Sequence, residues 1–125
     1  MPRVLISDKL SEEAVDIFEA AGVEVDFKPG LPADELKEII HNYDGLAVRS
    51  ATKVTSEIIA LAANLRVVGR AGIGVDNVDI PAATAAGILV MNTPFGNAIT
   101  TAEHAIAMML SLTRQIPQAH MSIIA

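Results

Sequence analysis

Residues 65 to 79, Leu-Arg-Val-Val-Gly-Arg-Ala-Gly-Ile-Gly-Val-Asp-Asn-Val-Asp, restrict what this chain can fold into more than any other stretch. An apolar run with two adjacent valines, Leu65 to Val68, leads directly into Gly69, Arg70, Gly72 and Gly74. That pattern reads as a buried strand ending in a loop whose backbone approaches something closely. Glycines leave peptide N–H groups uncovered and Arg70 adds a forked cation, so an anion is the expected occupant; the plain alternative is a glycine-rich turn between a strand and the next helix. A dinucleotide fingerprint would need a third glycine or alanine three residues after Gly74, where Asn77 stands, and there is no Gly-Lys-Ser/Thr phosphate loop. The stretch is therefore not the pyrophosphate turn of a cofactor site.

Around it the chain alternates between two periods. Arg3 to Ser7 reads as a strand, followed by a helix that Ser11 caps and that carries the apolar stripe Ala14, Val15, Ile17 and Phe18 up to Gly22. Glu24 to Phe27 reads as a second strand; Pro29-Gly30 turns the chain, and Pro32 opens a helix with Leu36, Ile39 and Ile40 on one face. Gly45 to Val48 is the third strand, and Thr55 to Ala62 a helix burying Ile58, Ile59 and Leu61. After the central strand come a short helix from Ile80 to Ala86, a fifth strand from Ile88 to Met91, and a last helix starting near Asn97.

Five strand–helix pairs with short connections imply a parallel sheet with helices on both faces. Of the two common strand orders, 2-1-3-4-5, which reverses direction between strands one and three, is the one expected here; it sets three loops side by side at the carboxyl ends of the strands. Those loops are Ser7 to Leu10, Arg49 to Lys53, and Arg70 to Asp76. Arg49, Lys53 and Arg70 lie on two of them, in a chain with only nine basic side chains and a formal charge of −6. They suggest a pocket for a small anion, with Ser50 and Thr52 as further hydroxyl donors. Lys53 reads equally well as a solvated surface lysine. Arg49 is harder to place in open solvent, since it directly follows Leu46-Ala47-Val48.

The acidic balance and the lack of a Lys/Arg-rich run argue against nucleic acid or an anionic membrane as partner. Without cysteine there is neither a disulfide framework nor thiolate chemistry. No apolar run reaches spanning length or resembles a signal peptide, so a cytoplasmic location is the default expectation.

Three ordered motifs, Val48-Arg49-Ser50-Ala51-Thr52-Lys53-Val54-Thr55, Gly69 to Asp79, and Gly87-Ile88-Leu89-Val90-Met91-Asn92-Thr93-Pro94, resemble the amino-terminal part of the NAD-dependent D-2-hydroxyacid dehydrogenases. The resemblance covers about Val4 to Ala119, and within the family Val-Arg-Ser-Ala-Thr-Lys-Val points to phosphoglycerate over other 2-hydroxy acids. It implies a flavodoxin-like substrate-binding lobe over residues 1–97, a three-layer α/β sandwich, then a crossing helix over 98–119 toward an NAD-binding lobe that this chain lacks. Residues 120–125 depart from the family's continuation.

Residue by residue, the resemblance assigns substrate binding to Arg49, Ser50, Arg70, Ala71, Gly72, Ile73, Gly74 and Asn97, and contact with the NAD cofactor to Ile73 and Thr101. It assigns no catalytic residue and no metal ligand here, since the family's arginine, glutamate and acid/base histidine come from the other lobe. His41, His104 and His120 lie in no matching motif; Glu103 and His104 are helical neighbours and do not face each other. The parent would be an oxidoreductase, and this chain alone inactive.

Two other readings compete. A receiver or flavin module on the same fold is disfavoured, because Arg49 stands where a phosphoacceptor aspartate would be wanted and Tyr43 is the only Tyr or Trp. A folding or assembly unit without ligand leaves the same fold signals. The last helix, Ala98 to Gln115, carries one apolar stripe of Ile99, Ala102, Ile106, Met109 and Leu110 and another of Ala105, Met108, Leu112 and Ile116. Two stripes need two partners, so a homodimer, or an exchanged helix, built on Ala98 to Ile116 is expected unless the helix folds back and covers both within one chain.

Overall fold

The computed structural model describes all 125 residues, in two compact units, Met1–Pro94 and Phe95–Ala125. In the first, five strands, β1 (Arg3–Ile6), β2 (Glu24–Phe27), β3 (Gly45–Val48), β4 (Val67–Arg70) and β5 (Leu89–Asn92), alternate with four helices. The helices are α1 (Glu13–Ala20), α2 (Ala33–Ile39), α3 (Ser56–Leu61) and α4 (Ile80–Ala85). Every strand pair is parallel and the order is β2-β1-β3-β4-β5, as the sequence predicts.

Topology distributes the helices. The step from β1 to β2 runs one way along the sheet and the later steps run the other, so right-handed crossovers put α1 on one face and α2, α3 and α4 on the opposite one. Leu5, Leu46, Val68 and Val90 lie in one register row and pack with Leu36, Ile58, Ile59 and Ala83 of the three helices and with Ile40 just past the end of α2. The opposite row is Ile6, Ala47, Gly69 and Met91. There only α1 is available within this unit, it buries none of its residues, and Met91 is left half exposed.

The uneven cover explains why Ile17 of α1, expected inside, is 69% exposed. On the covered face Leu61, also expected inside, is 48% exposed, while Ala62 and Leu65 are buried. Ser11 does not cap α1 through its side chain: the cap residue is Glu12, already helical at φ −60° and ψ −29°, and only the Ser11 carbonyl takes part, accepting from the Ala14 N–H at 3.0 Å. A side-chain cap needs a non-helical backbone at that point, which Thr55 (ψ 165°) and Asp79 (ψ 89°) do supply for α3 and α4. Gly22 and Gly87 stop α1 and α4 in left-handed conformations, φ 75° and 71°. The central strand begins later than its apolar run implies, so Gly69 and Arg70 belong to β4 and the loop starts at Ala71.

A polar corner ties the starts of the strands together. The Tyr43 hydroxyl donates to Asp26 Oδ2 at 2.6 Å, Arg3 Nη2 reaches the same oxygen at 2.9 Å, and the Arg3 guanidinium lies 5.2 Å from the Tyr43 ring centre. Burial of the phenol, with the hydrogen bond to Asp26 and the charge of that carboxylate, pushes Tyr43 up to about 12. A raised value means that the contribution to stability is complete below the unfolded value of about 10 and disappears as pH rises through 12. Tyr43 is the only tyrosine and there is no tryptophan, so ultraviolet difference absorbance should show no tyrosinate until about 12. Ionisation with an ordinary phenol midpoint in folded protein would refute the buried Tyr43–Asp26 bond.

The second unit comprises α5 (Ala98–Thr113) and α6 (Ile116–Ile124). The helix expected to run through to Gln115 and Ile116 stops at Thr113, because Gln115 takes a left-handed conformation at φ 50° and Pro117 opens α6, where a missing N–H costs nothing. Ile116 therefore leaves the second apolar stripe and joins α6. Neither helix contains a buried residue.

Candidate anion-binding site

The carboxyl ends of β1, β3 and β4 carry three loops that the strand order makes neighbours, and hydrogen bonds join them. From the first loop, Asp8 is 3% exposed and turns its carboxylate toward the second. It accepts from the Arg49 N–H at 2.7 Å, from the Thr52 N–H at 3.0 and 3.1 Å, and from the Thr52 hydroxyl at 2.5 Å. Burial alone would raise this acid, yet the bonds from Thr52 and from the N–H groups of Arg49 and Ala51 outweigh it and hold Asp8 below its ordinary value. From the third loop, the Asn77 amide donates to the Arg49 carbonyl at 2.6 Å and the Thr52 carbonyl at 2.7 Å. A parallel bridge between Val54 and Val78 closes the junction.

Thr52 is thus a correction to the expected donor set. Its hydroxyl is buried between Asp8 and Ser7, the latter at 2.9 Å, and has nothing left for a ligand. Arg49 and Ser50 are exposed, and the guanidinium of Arg49 makes one long bond, 3.3 Å, to the Lys9 carbonyl. Lys53 is exposed and forms no ion pair, in keeping with the surface reading.

Arg70 is held differently. Its side chain is 13% exposed and pairs with Asp76 at 2.8 Å, folded over its own loop. A Cβ at Gly74 would sit 3.0 Å from Arg70 Nη1 and 3.1 Å from Asp76 Oδ1, so a side chain there would press on this ion pair. The Gly72 N–H donates to the Arg70 carbonyl at 3.0 Å and is occupied, whereas Ile73 and Gly74 donate to no other group of the chain. The far side of the loop rests on the end of β5: Asn92 donates to the Ile73 carbonyl at 2.7 Å, and the Thr93 N–H to the Gly72 carbonyl at 2.9 Å.

Arg49, Ser50, Arg70, Ala71, Gly72, Ile73 and Gly74 all stand in the first unit at this end of the sheet. Asn97 and Thr101 stand in the second, Asn97 just before α5 and Thr101 one turn later, with the Thr101 N–H donating to the Asn97 carbonyl at 2.9 Å. Asp8 was not singled out in the sequence; its one signal is an acidic residue directly after the first strand, inside a loop predicted to face the other two.

Against known families, residues 4–125 match the profile of the D-isomer specific 2-hydroxyacid dehydrogenase catalytic domain. The chain belongs to this family. The D-3-phosphoglycerate dehydrogenase of Archaeoglobus fulgidus is 51% identical over 121 residues, covering 97% of this chain and 23% of the relative. That of Sus scrofa is 54% identical over 117 residues, 94% of this chain and 22% of the relative. Among solved structures, the NAD+-bound 3-phosphoglycerate dehydrogenase of Entamoeba histolytica superposes with a TM-score of 0.76 at 35% identity, over 88% of this chain and 38% of that one. The dehydrogenase family match runs through the closing residues 120–125, and the chain spans under a quarter of the length of these two curated relatives. No helix is long and apolar enough to cross a membrane.

Proposed function

We propose that this chain is the substrate-binding lobe of an NAD-dependent oxidoreductase that converts 3-phosphoglycerate to 3-phosphohydroxypyruvate, the entry to serine biosynthesis, in the cytoplasm. The observation that carries the reading is the exposed Arg49-Ser50 pair, with its backbone fixed on a loop that stands beside the free N–H groups of Ile73 and Gly74. A guanidinium and unoccupied peptide N–H groups at the same end of the sheet suit a substrate with a carboxylate at one end and a phosphate at the other. In this reading Arg49 and Ser50 bind the substrate and the loop Arg70 to Gly74 receives its carboxylate. Asn97 belongs to the same substrate set.

The cofactor does not fit this chain as a pyrophosphate site. Asn77 occupies the position that a dinucleotide turn gives to glycine or alanine, and its amide is spent on two carbonyls. Bound NAD supplies a hydride acceptor; Ile73, 45% exposed, and Thr101 are assigned contacts at its edge only. The groups that move the proton lie, in this reading, in a part of the protein outside residues 1–125. The partner assigned to α5 is a second copy of the chain.

The test uses isotope-labelled chain. Titrating 3-phosphoglycerate should shift the amide signals of Ser50, Ile73 and Gly74, Arg49→Ala should weaken the response at least about tenfold, the weight of one lost charge-assisted bond, and NADH should not form. Absence of any shift in the wild-type chain, or NADH formed by a sample free of host enzyme, would overturn the reading.

A further inference from the structure

We infer that Asp8 and Asn77 are a pair of positioning residues that hold the substrate-gripping loop, Arg49 to Thr52, in its binding shape from opposite sides. The inference rests on the substrate-binding role proposed above and goes beyond it to two residues outside the predicted set. The geometry is reciprocal. Both oxygens of one carboxylate take the N–H groups of Arg49 and Thr52, and the two hydrogens of one amide go to the carbonyls of the same two residues. An ionised carboxylate only accepts, and a primary amide offers two donors, so each residue supplies what the loop's backbone lacks on its side.

The Asn77 amide has its orientation fixed by this, since two carbonyls demand the nitrogen, and its Oδ1 is buried without a partner. Leaving a buried acceptor unpaired is unfavourable, and the loop geometry is what that arrangement secures. With all four backbone groups of Arg49 and Thr52 occupied, and the Thr52 hydroxyl turned inward to Asp8 and Ser7, the side chains of Arg49 and Ser50 are the polar groups that remain directed outward. The clamp also links the three loops: Asp8 comes from the end of β1 and Asn77 from the loop after β4, so the grip at the end of β3 is held from both neighbouring strands.

The same position that rules out a dinucleotide turn thus has a positive use. Glycine or alanine at residue 77 would satisfy the fingerprint and release two carbonyls. Aspartate there would set a carboxylate against them.

The experiment measures 3-phosphoglycerate affinity of the 125-residue chain by amide shift, with hydrogen exchange at Arg49 and Thr52 as a second readout. Asp8→Asn, Asn77→Asp and Thr52→Val are compared with Thr52→Ser, which keeps the hydroxyl. Expected are at least tenfold weaker binding and faster exchange at Arg49 and Thr52 in the first three, with amide positions of the core residues Val68 and Ile58 unchanged, and recovery to within about twofold in Thr52→Ser, whose hydroxyl can still donate. If wild type binds and Asp8→Asn and Asn77→Asp bind as well, the positioning role is wrong and the substrate reading stands. If wild type shows no binding, the substrate reading falls and the positioning role falls with it. Should Asn77→Asp unfold, Asn77→Ser, which keeps one donor, replaces it under the same criteria.

Discussion

Gly45→Ala is expected to destabilise the first unit by about 1 to 3 kcal/mol, while Gly69→Ala, one strand away, should leave stability unchanged or raise it by up to about 1 kcal/mol. The two glycines look alike in the sequence, each beside a hydrophobic run. In the sheet Gly45 is flanked in register by Val4 and Val67, and a Cβ there would sit 2.9 Å from Val4 Cγ2 and 3.4 Å from Val67 Cγ1. Valine is stiff about χ1 and cannot swing that methyl away at low cost, so strain passes to the backbone. Gly69 has Ala47 and Met91 as its register partners, and a Cβ there would meet nothing within 4 Å. Thermal or denaturant unfolding reads the difference; a loss at Gly45→Ala amounts to a midpoint lower by roughly 4 to 8 °C per kcal/mol for a unit of this size. Equal effects at the two positions would refute the packing argument.

What could be read beforehand follows from the range over which each signal acts. The parallel sheet was legible because short connections leave parallel crossovers as the one economical path, and right-handedness decides the faces; the order 2-1-3-4-5 is one of two common orders that these signals allow. The neighbourhood of Arg49 and the glycine loop followed from that order, since both lie at the carboxyl ends of adjacent strands. Side-chain commitments within the site were not legible. Thr52 and Ser50 are both hydroxyl residues in one loop, and only the path of β1 decides that Thr52 turns in to Asp8. Arg70 pairs with Asp76, six residues on, a partner that nothing in the local sequence pattern singles out. Ile17 and Leu61 were misplaced for a related reason: a stripe shows which side of a helix is apolar, and what covers that side depends on elements elsewhere in the chain.

The helix α5 gives the other large expected effect, self-association of the chain. Its first stripe, Ile99, Ala102, Ile106, Met109 and Leu110, survives intact over Ala98–Thr113, and the second is reduced to Ala105, Met108 and Leu112 by the break at Gln115. None of these residues is buried; Ile99 is 76% exposed, Met108 58% and Leu112 78%. Full burial of such a side chain stabilises by about 1.5 to 3 kcal/mol, so a handful of them meeting across two copies gains more than the several kcal/mol that bringing two molecules together costs. Exposed apolar rows of this extent are uncommon on proteins that stay monomeric. Sedimentation over a wide concentration range should show a dimer at the upper end, with Met108→Glu and Leu112→Glu shifting it to monomer, because a carboxylate in that contact would be desolvated without a partner. The same substitutions should leave the amide signals of Ser50, Ile73 and Gly74 in place, since those three residues all lie in the first unit. A chain that sediments as monomer at every concentration, with or without the glutamates, would show that the apolar stripes of α5 do not bind a second copy.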